Sequence, residues 1–150
     1  MEVLKYDIST GLFYWRVHRS KGIREGGLAG HADHRGYTRI SIDNKKYLAH
    51  RLAWYYMCGE WPDSDLDHID GDKTNNRVEN LRRCTKAQNS YNASYAKGST
   101  GIKGVRVKPS GSYDVRVSSK YLGSYKDLEL AEFVAMEARE SMHGEFARHI

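Results

Sequence analysis

The stretch from Leu66 to Asn89 constrains this chain more than any other. It opens on Leu66-Asp67-His68-Ile69, which reads as a short strand carrying Asp67 and His68 side by side. The residues that follow, Asp70-Gly71-Asp72-Lys73-Thr74-Asn75-Asn76, are too rich in turn formers to be regular structure and predict a polar loop. Leu81 to Cys84 reads as a second strand. Thr85 then starts a helix, with Gln88 three residues later completing a capping box. The predicted unit is strand, loop, strand, helix.

Within it, Asn80 follows His68 by twelve residues and Asn89 follows Asn80 by nine. Asp67-His68, Asn80 and Asn89, with Gly71-Asp72, Asn76-Arg77 and Glu79-Asn80-Leu81-Arg82 around them, resemble the H-N-H signature of the HNH endonucleases. These are the ββα-metal nucleases, and the likeness is to the phage and intron-encoded homing type. The third signature position is Asn89 here, where the name of the motif has His. The resemblance implies a catalytic pair, His68 as general base and Asn80 as the residue that pins the loop. It also implies that Asp67 and Asn89 bind one divalent ion. Taken singly, His68 could be an ordinary strand residue, Asp67 a salt-bridge residue and Asn89 a surface amide. The ordered run is what assigns them.

The chemistry agrees with that assignment. Phosphodiester hydrolysis needs an activated water, stabilised charge at phosphorus and help for the departing 3′ oxygen, and a divalent ion can supply the last two. Carboxylate and amide oxygens are hard ligands, so Mg²⁺ or Mn²⁺ is expected rather than Zn²⁺. Alternation along a strand puts His68 on the side opposite Asp67. An ordinary imidazole pKa near 6.5 suits a general base at neutral pH.

A chain of 150 residues is one ordinary domain or two small ones. Its net charge of +5 and pI of about 9.2 favour a polyanionic partner, which the resemblance implies is double-stranded DNA. The two cysteines, Cys58 and Cys84, form no Cys-x-x-Cys pair, so no structural zinc is expected. The N-terminus has no apolar signal region and no run is long enough to span a membrane. A cytoplasmic protein with reduced thiols and no membrane partner is the expectation.

Residues 1 to 48 read as β-rich. Tyr6 to Gly11 is turn-like and leads into a strand at Leu12–Val17, His18 to Arg35 reads as a loop, and Tyr37–Ile42 pairs with Lys45–Leu48 through Asp43-Asn44. Ala49 to Cys58 predicts a helix stopped by Gly59. His50-Arg51 opens it: Arg51 is a candidate phosphate contact and His50 a packing or capping residue that could buttress the site. Arg77, Arg82 and Arg83 are further candidate phosphate contacts or, equally, solvated surface.

Past the helix, expected to run to about Ala93, residues 94–101 read as a linker. Strands are predicted at Gly104–Lys108, Ser112–Ser118 and Tyr121–Tyr125, with turns at Pro109-Ser110-Gly111 and Ser119-Lys120. Asp127 caps a last helix that Gly144 closes. Period two puts Val105, Val107, Val115 and Val117 on one sheet face, against Leu130, Val134, Ala138 and Met142 of the helix. The other face is basic, and the helix carries Glu129, Glu132, Glu137 and Glu140 outward. The element order, with Gly104-Val105, Tyr121-Leu122-Gly123 and His143-Gly144-Glu145-Phe146-Ala147, resembles the Apetala-type (ethylene-response-factor) DNA-binding domain. Tyr113 stands where that family usually has Trp. Lys103, Arg106, Lys108, Arg116 and Lys120 are the candidate DNA contacts on a sheet suited to the major groove.

The expected architecture is α+β. A β-rich segment and nuclease unit occupy residues 1–93, with the ββα-metal core at about 66–93, and a three-stranded antiparallel sheet on one helix occupies residues 102–150. The expected function is site-specific DNA cleavage by a monomer that nicks one strand. Two rivals stand beside it: a non-catalytic DNA-binding regulator, and a restriction or packaging nuclease built on the same unit.

Overall fold

The computed structural model describes residues 3–18, 22–92 and 99–147. It is α+β and divides into two compact units, Met1–Lys86 and Ala87–Ile150. The division falls just inside the predicted nuclease helix, after Lys86, so the helix from Ala87 onward groups with the C-terminal unit. Most of the expected linker, residues 94–98, and the expected helix end at Ala93 lie outside the described residues.

In the first unit, β1 (Leu4–Asp7) and β2 (Leu12–Trp15) form an antiparallel hairpin. β1 was not predicted, although Leu4 and Tyr6 alternate inward as strand residues should. Gly11 in its turn has φ +73°, and a Cβ there would lie 2.5 Å from the backbone nitrogen of Arg77. Only glycine lets the hairpin approach the 76–77 segment so closely. The described residues of the predicted 18–35 loop include a short strand, β3 (His31–Ala32), paired with β4 (Thr38–Ile42). β4 turns through Asp43 and Asn44, both at positive φ, into β5 (Lys45–Leu48), as a two-residue hairpin with right-handed strand twist requires.

α1 (Ala49–Cys58) ends as predicted at Gly59, whose φ of 75° lets its N–H cap the Tyr55 carbonyl. The core of this unit joins Leu4, Tyr6, Phe13, Trp15, Ile40, Leu52, Ala53 and Leu81. Leu81 belongs to a second hairpin, β6 (Asp65–His68) with β7 (Leu81–Cys84), in which Asp67 faces Arg82 and His68 faces Leu81. A 3-10 turn, Val78–Asn80, leads into β7. The nuclease hairpin is thus seated on the N-terminal β-rich segment through its own apolar residue.

In the second unit, α2 (Lys86–Asn92) precedes β8 (Val105–Val107), β9 (Tyr113–Val117) and β10 (Lys120–Tyr125), which form an antiparallel sheet in the order β10-β9-β8. The β9–β10 turn falls on Ser118-Ser119, both at positive φ, one residue before the predicted position. α3 (Leu128–His143) starts at Asp127, whose carboxylate accepts the Leu130 N–H at 2.8 Å.

The predicted helix face needs correction. Leu130 and Met142 are 49% and 38% exposed, and so is Val107 at 40%. The residues turned fully inward are Ala131, Ala135 and Arg139, one position on from the predicted stripe. Alanines at i and i+4 let the helix axis approach Val105 and Val115 closely, which a leucine stripe would prevent. Arg139 is buried because its guanidinium donates to the Lys103 carbonyl, a loop acceptor that hydropathy does not reveal.

Candidate active site

His68 ends β6 with 3% of its surface exposed. Its Nε2 lies 3.2 Å from Oδ1 of Asn76, which is itself only 2% exposed. The Asn76 Nδ2 donates to the Thr74 carbonyl at 3.0 Å, and the Asn76 carbonyl accepts the Tyr6 hydroxyl at 2.9 Å. The His50 ring stands edge-on to His68 at 5.1 Å, and the Tyr37 ring lies 6.0 Å away. Burial pushes the His68 pKa down, against the opposing pull of the Asn76 hydrogen bond and of Asp70, Asp67 and Asp72.

His50, second in α1, is pushed down to about 3 by burial and by the neighbouring His68 and Arg51. Its Nδ1 is buried with no hydrogen-bond partner among the described residues. It is therefore neutral at any physiological pH.

Asp67 is 5% exposed and takes a different partner. Both Nε and Nη2 of Arg82 approach its Oδ2, at 3.0 and 2.9 Å. Arg82, expected as a phosphate contact, is thus engaged with the candidate metal ligand across the hairpin.

Asn80 ties the loop between the two strands. Its Nδ2 donates to the Asp70 carboxylate and to the Asn75 carbonyl, both at 2.9 Å, while its Oδ1 accepts the Asp70 N–H at 3.1 Å. Its carbonyl takes the Ile69 N–H at 2.9 Å. Partial burial raises the Asp70 pKa, but hydrogen bonds from Asn75, Asn80 and the Asp72 N–H outweigh it and hold the carboxyl below its usual range. Lys73 fastens the outer loop by donating to the Arg35 carbonyl at 2.9 Å and lying over the Tyr37 ring.

Arg51 is committed to backbone, donating to the carbonyls of Pro62 and Ser64, so it holds the segment after α1. Arg77 is exposed beside Glu79, and Arg83 pairs with Glu60 and Asp63 over the Trp54 ring. Asn89 lies on α2, half-buried. In the C-terminal unit Lys103 donates to the Tyr91 carbonyl, Lys108 pairs with Asp114 at 3.1 Å, and Arg116 lies over the Tyr121 ring. Arg106 and Lys120 are exposed. Asp114, directly opposite Arg106 in register, puts an acidic group within the basic face.

Sequence reasoning passed over Asn76, Tyr6 and Tyr37 as parts of this site. A second Asn in a loop already explained as a turn carries no local sign of burial. Tyr6 comes from β1 and Tyr37 from the residue just before β4, both far away in sequence. His50 was visible, as a histidine that opens a mostly apolar helix together with Arg51.

Comparison with known proteins finds an HNH unit in this part of the chain. Residues 47–91, from β5 through most of α2, match the HNH endonuclease family. Protein 3.8 of Escherichia phage T7 is 33% identical over 89 residues, which cover 55% of this chain and 73% of that protein. The chain belongs to the HNH endonuclease family. Two further relatives, whose names carry HNH, match shorter stretches. YosQ, an SPbeta prophage-derived protein of Bacillus subtilis (strain 168) whose name assigns it to the HNH homing endonucleases, is 39% identical over 59 residues. The HNH endonuclease L560 of Acanthamoeba polyphaga mimivirus is 39% identical over 70 residues. They cover 39% and 45% of this chain, which spans only 34% and 37% of their own lengths. A solved structure of DNA binding and cleavage by the HNH homing endonuclease I-HmuI is similar over 59% of this chain and 50% of its own, at 28% identity and a TM-score of 0.45. The family match stops short of the β8–β10 sheet.

The family implies a metal-dependent HNH enzyme. Among the described residues no group of three or more His, Cys, Asp or Glu is placed to hold a metal ion. Of the two residues expected to hold such an ion, Asp67 offers a carboxylate and Asn89 an amide oxygen. That donor set is hard and suits a small divalent cation. Among the described residues no helix is long and apolar enough to cross a membrane.

Proposed function

We propose that the chain is a metal-dependent DNA endonuclease of the HNH homing type, hydrolysing one phosphodiester bond of double-stranded DNA as a strand-nicking monomer. The observation that carries the reading is the buried His68 at the end of β6, next to Asp67 and hydrogen-bonded to Asn76. A histidine kept neutral by burial and oriented by a side-chain amide has the state and fixed aim that a general base needs.

In this reading His68 takes a proton from the water that attacks phosphorus, and the P–O3′ bond breaks. Asp67 and Asn89 would hold Mg²⁺ or Mn²⁺, which when bound stabilises charge on the phosphate and the departing 3′ oxygen. Asn80 keeps the loop between the strands folded so that Asp67 and His68 stay at the end of β6. Arg77, exposed beside the loop, is the arginine of this unit best disposed to meet a phosphate.

The C-terminal unit is proposed as an Apetala-type DNA-binding domain. Its antiparallel three-strand order, with one helix on the face opposite Arg106 and Arg116, supports that reading. Phosphate contacts from Arg106, Lys108, Arg116 and Lys120 would set register, and an arginine could read guanine.

The test is cleavage of supercoiled DNA from a library of candidate targets, with Mg²⁺ or Mn²⁺, comparing wild type, His68→Ala and an EDTA control. Open-circular product that needs both metal and His68 is expected. Linear product would point to a dimer acting on both strands. Tight binding with no cleavage of any target would overturn the nuclease reading in favour of a DNA-binding regulator.

A further inference from the structure

Asn76 is assigned no role by the signature that names the family, yet it is among the most deeply buried side chains of the first unit. Its amide can be oriented without ambiguity of donor and acceptor. The end that meets the Thr74 carbonyl at 3.0 Å must be the NH₂ group, because a carbonyl only accepts. Oδ1 is therefore the end that meets His68 Nε2 at 3.2 Å, and an amide oxygen only accepts. The hydrogen on that contact must come from the imidazole. A neutral His68 then carries its proton on Nε2 and its basic lone pair on Nδ1.

From this we infer that Asn76 is a positioning residue that sets the tautomer of His68, and so decides which ring nitrogen accepts a proton. The inference rests on the reading of His68 as general base. Asn76 is itself held from two directions. Tyr6 in β1 donates to its carbonyl at 2.9 Å, and the Gly11 turn leaves no room for a side chain against the backbone of Asn76 and Arg77. The N-terminal hairpin thereby becomes part of the apparatus that aims the base, although it supplies no reacting atom. A misplaced proton would be costly, because a general base that presents N–H to its water cannot act.

The experiment is long-range ¹H–¹⁵N spectroscopy of the histidine rings in the full chain at about pH 8, where ordinary histidines are neutral, without DNA or added metal. In the wild type the His68 signals, assigned by their loss in His68→Ala, should report a proton on Nε2. In Asn76→Ala they should report a mixture of tautomers, and kcat for nicking should fall at least about tenfold with KM changed less than about twofold. Asn76→Asp keeps an acceptor at the same place and should restore the Nε2–H tautomer. A wild-type ring protonated on Nδ1 would overturn the inference whatever the variants do. So would Asn76→Ala that keeps both tautomer and kcat. If the tautomer behaves as expected but wild type cleaves no DNA with either metal, the positioning stands and the nuclease reading fails.

Discussion

Asp67 and Arg82 face each other across the β6–β7 hairpin as register partners, and two guanidinium nitrogens lie within 3.0 Å of one carboxylate oxygen. Their side chains are only 6% and 15% exposed. An exposed pair would contribute less than about 1 kcal/mol, but removing one partner of a buried pair strands the other charge and costs about 3 kcal/mol or more. Arg82→Met should lower stability by about 3 kcal/mol in urea unfolding. Arg82→Lys should fall between, since it keeps the charge and loses the fork. A loss below about 1 kcal/mol for Arg82→Met would mean the pair is effectively solvated.

His50 makes the stability of the first unit depend on acid. Its folded pKa of about 3 lies well below the ordinary 6.5, so between those values the unfolded chain binds a proton that the folded chain refuses. The stabilising contribution is complete above about pH 6.5 and is lost as pH falls through that window, at up to about 1.4 kcal/mol per pH unit. His68, shifted in the same direction, adds to the slope. Urea unfolding between about pH 7 and pH 4 should show stability falling with acid, and His50→Phe should flatten the fall by nearly one proton. An unchanged slope would place a charged His50 in the folded state.

The contrast between these groups and the rest of the site shows what a sequence can disclose. Strand β7, helix α1 and the Asp127 cap rest on short-range signals: alternation, a Gly stop, an acid before a helix. They were legible because the physics acts within a few residues. Asp67 and His68 were legible for a different reason, as part of an ordered run that resembles a known signature. Their partners were not, because Arg82, Asn76 and His50 reach them through tertiary packing. The inner face of α3 was misplaced by one residue for a related reason. Hydropathy favours Leu130 and Met142, whereas close packing of a helix on a sheet favours Ala131 and Ala135, and Arg139 is buried by an acceptor that the linear pattern hides.

Asn80 offers a direct measure of what holds the nuclease loop. Its side chain makes three hydrogen bonds to Asp70 and Asn75, and it is 9% exposed. Asn80→Ala removes all three and leaves the Asp70 N–H without that acceptor. At about 1 kcal/mol net for each bond, a loss of about 2–3 kcal/mol is expected. The local effect should exceed the global one, so amide exchange at Asp70 should accelerate more than exchange within α1. Equal acceleration at both would mean that Asn80 supports the whole unit rather than the loop.

Asp114 restrains the basic face of the C-terminal sheet. It sits opposite Arg106, pairs with Lys108 at 3.1 Å and lies 3.4 Å from the Tyr121 hydroxyl. Burial raises its pKa, but hydrogen bonds from Lys108, Ser124 and Tyr121 and the Lys108 charge together hold it below the usual carboxylate range. It therefore stays anionic wherever the protein is folded at neutral pH, and it would repel a phosphate. If this face binds DNA, Asp114→Asn should release Lys108 and raise affinity most at low salt. The logarithmic salt slope should steepen by about one counterion. Arg106→Ala with Arg116→Ala should flatten the same slope by about two. The two changes act on opposite signs of the same electrostatic surface, so binding titrations over a salt series separate them from any effect on folding. A slope that neither variant moves would place the DNA footprint away from this sheet.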